Sequence, residues 1–187
     1  MQIDALLDHV YTLSPSAKKL LKQHISEHFF KKGTLLLQRN KVEQYIYFIK
    51  QGAVRAYAPT PEIDVTFWFG FEGATVLSMN SYVNQEKSYE NIELLEDSCL
   101  YVISASQLQH LYKTDIEIAN WGRKLIEKEL VKSEERLISL QCKSATERYT
   151  DLIKNHPYLV QRVALGHIAS YLGITQVSLS RIRAAIK

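Results

Sequence analysis

The chain has 187 residues, 46% hydrophobic and 23% charged, with seven Gly and four Pro, a composition that excludes collagen-like, low-complexity and disordered chains. No uncharged apolar run approaches the ~20 residues needed to span a bilayer, Met1 to Val10 carries Asp4 and Asp8 instead of a basic then apolar secretion signal, and two cysteines cannot build a disulfide scaffold or a four-thiolate metal site. The expectation is a soluble cytoplasmic protein with no membrane partner, whose net charge of +3 hides an uneven distribution: residues 1–142 hold 16 basic and 18 acidic side chains, whereas residues 143–187 hold seven basic and two acidic, with no carboxylate side chain after Asp151. A basic end on a neutral body favours a polyanionic partner.

Ile3, Leu6, Leu7 and Val10 recur at helical spacing, and Ser14-Pro15 reads as an N-cap followed by Pro at the first helical position, so helices are expected from about residue 3 to His28. From Phe29 to about Ile103 the period changes to two. Tyr45, Tyr47 and Ile49 alternate with Ile46, Phe48 and Lys50, and Val65, Phe67 and Phe69 alternate with Thr66, Trp68 and Gly70. Turn signals such as Lys32-Gly33, Gln51-Gly52 and Pro59 to Glu62 punctuate the stretch at short intervals, which argues for an antiparallel sandwich or barrel.

From about Ser104 the pattern is helical to the end. Asp115 to Gln141 contains no Pro and one Gly, and at ~1.5 Å per residue forms a rod of about 40 Å, longer than one small β domain can cover. Ile116, Ala119, Arg123, Ile126, Leu130, Ser133, Leu137, Leu140 and Ser144 follow one another in steps of three and four. Such a seam has to be buried against its own chain or against a symmetry-related copy, and the second is the simpler solution past the edge of the β body.

Residues 165–183 carry the most specific signal. Two short helices that meet at a sharp angle need a small residue where they touch, supplied by Ala169, and a turn four residues on that tolerates a positive φ, supplied by Gly173. Leu179 and Ile182, with Ile186, are spaced to face inward. Gln176, Val177, Ser180, Arg181 and Arg183 are left facing outward. Gln and Arg suit adenine and guanine edges in the major groove, Ser is adaptable and Val can touch a thymine methyl. The hydroxyls of Thr175 and Ser178, at the helix start, suit phosphate.

The order of parts resembles the Crp-Fnr transcription regulators over nearly the whole chain. The likeness is carried by Phe30 to Leu36, Tyr45 to Arg55 with Gly33 and Gly52 at β-roll spacing, Glu93 to Ser98, Gln161 to Val163 and His167 to Arg183; the last stretch looks like the Bacteroidetes-type branch. The resemblance implies an α+β chain: a cyclic-nucleotide-binding-like, jelly-roll-like antiparallel β-roll with flanking helices over residues 1–114, a dimerisation helix over 115–142 and a helix-turn-helix domain over 143–187. It further implies a homodimer that reads double-stranded DNA, with RNA polymerase and a small-molecule effector as further partners, and no enzymatic activity. Three departures qualify it. The ribose region reads Glu72-Gly73-Ala74-Thr75-Val76-Leu77, with no Glu after the turn, and the phosphate region reads Glu86-Lys87-Ser88, where Lys87 offers a point charge and not the planar fork of Arg. Cyclic AMP is therefore not the expected effector, and Val76, Leu77, Lys87 and Ser88 line a candidate pocket for another ligand or none. Val177 stands where a Glu is common on the recognition helix, and no β-hairpin wing follows that helix before Lys187.

Other chemistry is weaker. His24 and His28 would sit at helical i, i+4 spacing, but without the metalloprotease order between them, and read as two exposed histidines. Cys99 reads as a small core residue and Cys142 as a spacer at the rod's end. No cofactor is expected. The competing reading is a small-molecule sensor whose helix-turn-helix contacts protein instead of DNA.

Overall fold

The computed structural model describes residues 1–186; Lys187, counted above with the basic C-terminal domain, lies outside them. Helices α1 (Ile3–Val10) and α2 (Pro15–Lys22) lead into eight strands. These are β1 (Ser26–Phe30), β2 (Leu35–Leu37), β3 (Tyr45–Gln51), β4 (Val54–Pro59), β5 (Asp64–Gly70), β6 (Thr75–Val76), β7 (Asn91–Leu94) and β8 (Ser98–Ser104), with helix α3 (Met79–Asn84) between β6 and β7. Helices α4 (Ala105–Thr114), α5 (Ile116–Cys142), α6 (Ala145–Asn155), α7 (Leu159–Arg162), α8 (Leu165–Tyr171) and α9 (Gln176–Ala185) follow.

The strands pair antiparallel into two sheets, β1-β8-β3-β6 and β2-β7-β4-β5. The period-two pattern of β3 shows why. Tyr47 and Ile49 face the space between the sheets and meet Leu37, Val54, Leu94 and Leu100 there, while Ile46 and Phe48 face the opposite side. On that side they pack against α1, α2, α4 and the first half of α5 in a second core built round Leu6, Leu7, Ile118 and Trp121. The Trp121 indole N–H donates to the Leu7 carbonyl at 2.9 Å and its ring meets Phe48 edge-on at 5.9 Å. The start of α5, capped by Asp115 through the Glu117 and Ile118 N–H groups, is thus part of the β-roll body.

The turn between β3 and β4 requires glycine. Gly52 has φ +130°, and a Cβ there would lie 2.1 Å from the Ser98 hydroxyl oxygen.

Four local expectations are corrected. Helix α2 ends at Lys22, because Ser26–Phe30 pairs residue for residue with Ser98–Val102, so His24 and His28 never share a helical face. Cys99 lies half-exposed on that ladder, its thiol donating to the Glu27 carboxylate at 3.1 Å, and is not a core residue. The β region is interrupted by α3, whose N-cap is Ser78. Ile186, expected to face inward, is exposed, since α9 ends at Ala185. No helix among the described residues is long and apolar enough to cross a membrane.

Candidate nucleic-acid interface

The C-terminal helices enclose a third core of Tyr149, Leu152, Leu159, Val163, Ile168, Ala169, Leu172 and Leu179. Ser144 starts this unit with a capping box, its hydroxyl accepting from the Glu147 N–H while the Glu147 carboxylate accepts from the Ser144 N–H. Helix α8 stops at Gly173, whose φ of +68° reverses the chain, and Thr175 opens α9 by accepting from the Ser178 N–H at 3.1 Å. Ala169 is buried between the helices, and Leu179, with no exposed surface, anchors α9.

The same packing fixes what α9 turns outward. Gln176, Val177, Ser180 and Arg181 are exposed and, at offsets of three and four, share one face. Thr175 is exposed; Ser178 is half-buried, with its hydroxyl 3.0 Å from that of Thr175. Arg183 is half-buried and follows Ser180 by three positions, at the edge of the same face. Neither Arg181 nor Arg183 has an ion-pair partner among the described residues, and α9 contains no acidic side chain. The two carboxylates of the domain are engaged on α6, Glu147 in the cap and Asp151 with Lys143 at 2.7 Å. The outward face of α9 is therefore cationic and unneutralised.

The long helix presents a second surface. The side of α5 that packs on its own chain is Ile118, Trp121, Gly122 and Leu125. Most of the seam read from sequence lies elsewhere: Ile116 is 76% exposed, Leu130 68% and Leu137 56%, Leu140 is also exposed, and Ala119 and Ile126 are half-buried. Past Ile126 the apolar residues of the stripe are not covered by their own chain. Val131 and Ile138, not flagged by the three-and-four spacing, are exposed beside Leu130 and Leu137 and widen the stripe.

The candidate effector residues stand in different environments. Val76 is buried between the sheets, Leu77 leans on the other core, Lys87 is exposed, and the buried Ser88 hydroxyl donates to the Gln38 carbonyl at 2.7 Å. Tyr47, Trp68, Leu36 and Ile92 fill the space between the sheets, and the Trp68 ring lies 2.3 Å from where a Cβ on Gly70 would stand. Beside α3 lies a shallow groove lined by Met79, Asn80, Val83, Asn84 and Tyr89. No cluster of three or more metal-ligating side chains occurs among the described residues.

Sequence reasoning missed the seating of the helix-turn-helix on the β-roll. Strand β5 is the edge of its sheet, and the Ser170 hydroxyl of α8 accepts from the Thr66 N–H and donates to the Asp64 carbonyl, both at 2.8 Å, so α8 covers that edge. Tyr171 lies between the ring of Phe69, 5.1 Å away, and the Arg136 guanidinium of α5, 3.5 Å from its centroid. Arg136 and Arg148 donate to the carbonyls of Tyr171 and Leu172 at the end of α8. Beneath lies buried Arg55, held by Thr66 at 2.8 Å and Glu93 at 2.9 Å. Burial lowers the pKa of His167, with help from the Arg55 charge, while Glu93 and Asp64 oppose it; burial also lowers that of His156, which stacks near Phe71.

Residues 27–115 match the cyclic nucleotide-binding domain family. No curated protein matches the chain in sequence. Among solved structures, FixK2 from Bradyrhizobium japonicum superposes with a TM-score of 0.74 at 20% identity, covering 87% of this chain and 84% of its own. A regulator from Eubacterium rectale assigned to the Crp/Fnr family gives 0.72 at 20% identity, covering 91% and 82%. The c-di-GMP-responsive regulator CLP of Xanthomonas campestris gives 0.70 at 14%, covering 92% and 91%. The chain thus has the fold of the Crp/Fnr transcription regulators, with the stretch that matches the cyclic nucleotide-binding domain family at residues 27–115.

Proposed function

We propose that the protein is a homodimeric, sequence-specific DNA-binding transcription regulator. The observation that carries this reading is the exposed, carboxylate-free face of Gln176, Val177, Ser180 and Arg181 on α9, an element held rigidly by Leu179 and the Thr175 cap. The exposed apolar seam of α5 takes a second copy of itself, which places two recognition helices in successive major grooves about 34 Å apart on one side of a roughly palindromic site. Thr175 and Ser178, at the start of α9, serve phosphate.

The β-roll does not take cyclic AMP in this reading. What supports it is the apolar filling between the sheets, the exposure of Lys87 and the prior engagement of the Ser88 hydroxyl. Selection of bound duplexes from a random pool tests the proposal: a motif with two related half-sites about one helical turn apart is expected, with affinity that falls steeply with salt as phosphate counterions are released. A pool that shows no enrichment, with binding insensitive to salt, refutes it and favours the reading in which the helix-turn-helix meets protein.

A further inference from the structure

One cation of the C-terminal domain bridges to two separate turns of the β-roll. Arg162, the last residue of α7, donates from Nη1 and Nη2 to Oε2 and Oε1 of Glu72, at 2.9 and 2.8 Å. From Nη2 and Nε it also reaches Glu96, at 2.5 and 3.4 Å, while its guanidinium covers the ring of Phe71. Glu72 lies in the turn before β6 and Glu96 in the turn before β8. Glu72 is itself fixed from behind, accepting from the N–H of Gly52 at 2.9 Å in a third turn. The pattern is a bidentate fork plus a second carboxylate, all partly buried, which only Arg can satisfy. None of these groups belongs to the outward face of α9.

We infer that Arg162 is a positioning residue for DNA reading: through Glu72 and Glu96 it sets the angle of α9 relative to the β-roll and hence, in a dimer, the spacing between the two recognition helices. The inference rests on the DNA-reading proposal and adds how the reading geometry is held. Without the clamp the head is held by the Ser170 and Tyr171 contacts of α8 and by the chain at Lys143-Ser144, where α5 ends and α6 begins, so it has a point about which to shift. Two tethered heads act as a bivalent binder, and fixing their separation raises the effective concentration of the second contact only for sites of matching spacing.

The test uses the full-length chain and synthetic duplexes bearing the selected site, the same site with one base pair inserted or deleted at its centre, and a single half-site. Arg162→Ala is expected to lose about tenfold in affinity for the intact site while half-site affinity stays unchanged, so that the penalty for altered spacing shrinks. Arg162→Lys, which keeps the charge without the fork, should restore this only in part. The double variant Glu72→Gln with Glu96→Gln lies wholly on the β-roll and should reproduce the loss of spacing preference. The inference is overturned if the spacing penalty is unchanged in both variants, or if the Arg variant weakens intact and half sites equally while the Gln variant leaves both intact, the signature of a phosphate contact. Failure of the unmodified protein to bind any duplex would instead remove the DNA-reading proposal on which the inference stands.

Discussion

At the scale of single residues, the side chains of α9 divide by the work they do. Leu179 has no exposed surface and anchors the helix from within the third core, so Leu179→Ala should cost about 2–5 kcal/mol of stability, read from denaturant unfolding. Arg181 touches nothing acidic and leaves the fold alone. Its replacement by Ala should cost roughly 1–3 kcal/mol of DNA binding and relax one base position, as read by selection of bound sequences, with unfolding unchanged. Val177→Glu supplies an acceptor for the cytosine amino group and should change the selected motif; an unchanged motif contradicts the groove-facing placement.

Titration at the contact between head and β-roll has a definite sign. Burial alone would raise the Glu72 carboxyl, but the Arg162 fork and the Gly52 N–H overcome it and bring it from the usual 4.5 down to about 2. A depressed acid contributes stability that is present above its unfolded value and lost as pH falls from there through its folded value, here from about 4.5 towards 2. His156 and His167, whose pKa values are also lowered, favour the seated head in their neutral form, a contribution present above about 6.5 and lost below it. Head seating should therefore weaken in two stages on acidification, first below about 6.5 and then below about 4.5. Protease cleavage near Lys143 to Ser144 across that range measures it; cleavage that falls with acid contradicts it.

At the scale of elements, α5 joins two environments. Its first half is core, with Trp121 and Leu125 packed on the body; its second half offers Leu130, Val131, Leu137 and Ile138 to solvent. A Leu130→Lys, Leu137→Lys pair should yield a folded monomer, since neither side chain is buried within the chain, and sedimentation with circular dichroism reads both properties at once. A variant that remains dimeric places the interface elsewhere. Much of this was legible beforehand. An antiparallel sandwich or barrel followed from alternation bounded by turn residues, the β-roll from the family resemblance, α5 from its unbroken periodic run, and the helix-turn-helix from Ala169, Gly173 and Leu179.

What was not legible depends on contacts between distant segments. Six residues of α3 are too few to establish a helical period between two strands. Strand β5 places an extra residue, Phe67, between Thr66 and Trp68 where its partner β4 has none, so Phe67 and Trp68 both serve the inter-sheet core while Phe69 serves the head. Its simple alternation in sequence conceals that bulge. Arg162 stands in a stretch that carries the family likeness, but its contact with Glu72 and Glu96 was not legible, because those partners are 90 and 66 positions away.

At the scale of the molecule, the β-roll has a dual part. It buries the start of α5, and it supplies the surface on which the C-terminal helices are seated through Ser170, Tyr171 and Arg162. The fold is that of regulators whose β domain bears the name of a ligand, yet here the space between the sheets is occupied by the chain's own side chains. Cyclic AMP at millimolar concentration should leave both the thermal midpoint and the DNA affinity unchanged, because a ligand shifts an equilibrium only by its differential affinity for the states involved. A raised midpoint would show a site that opens on binding.

The account turns on α9 as a reader of duplex DNA, and selection from a random pool, run in parallel on the unmodified chain and on Arg181→Ala, addresses it most directly. The prediction is an enriched motif of two related half-sites about one helical turn apart, degraded at one symmetric pair of positions by the substitution. A pool without enrichment, or one identical for the two proteins, would contradict it.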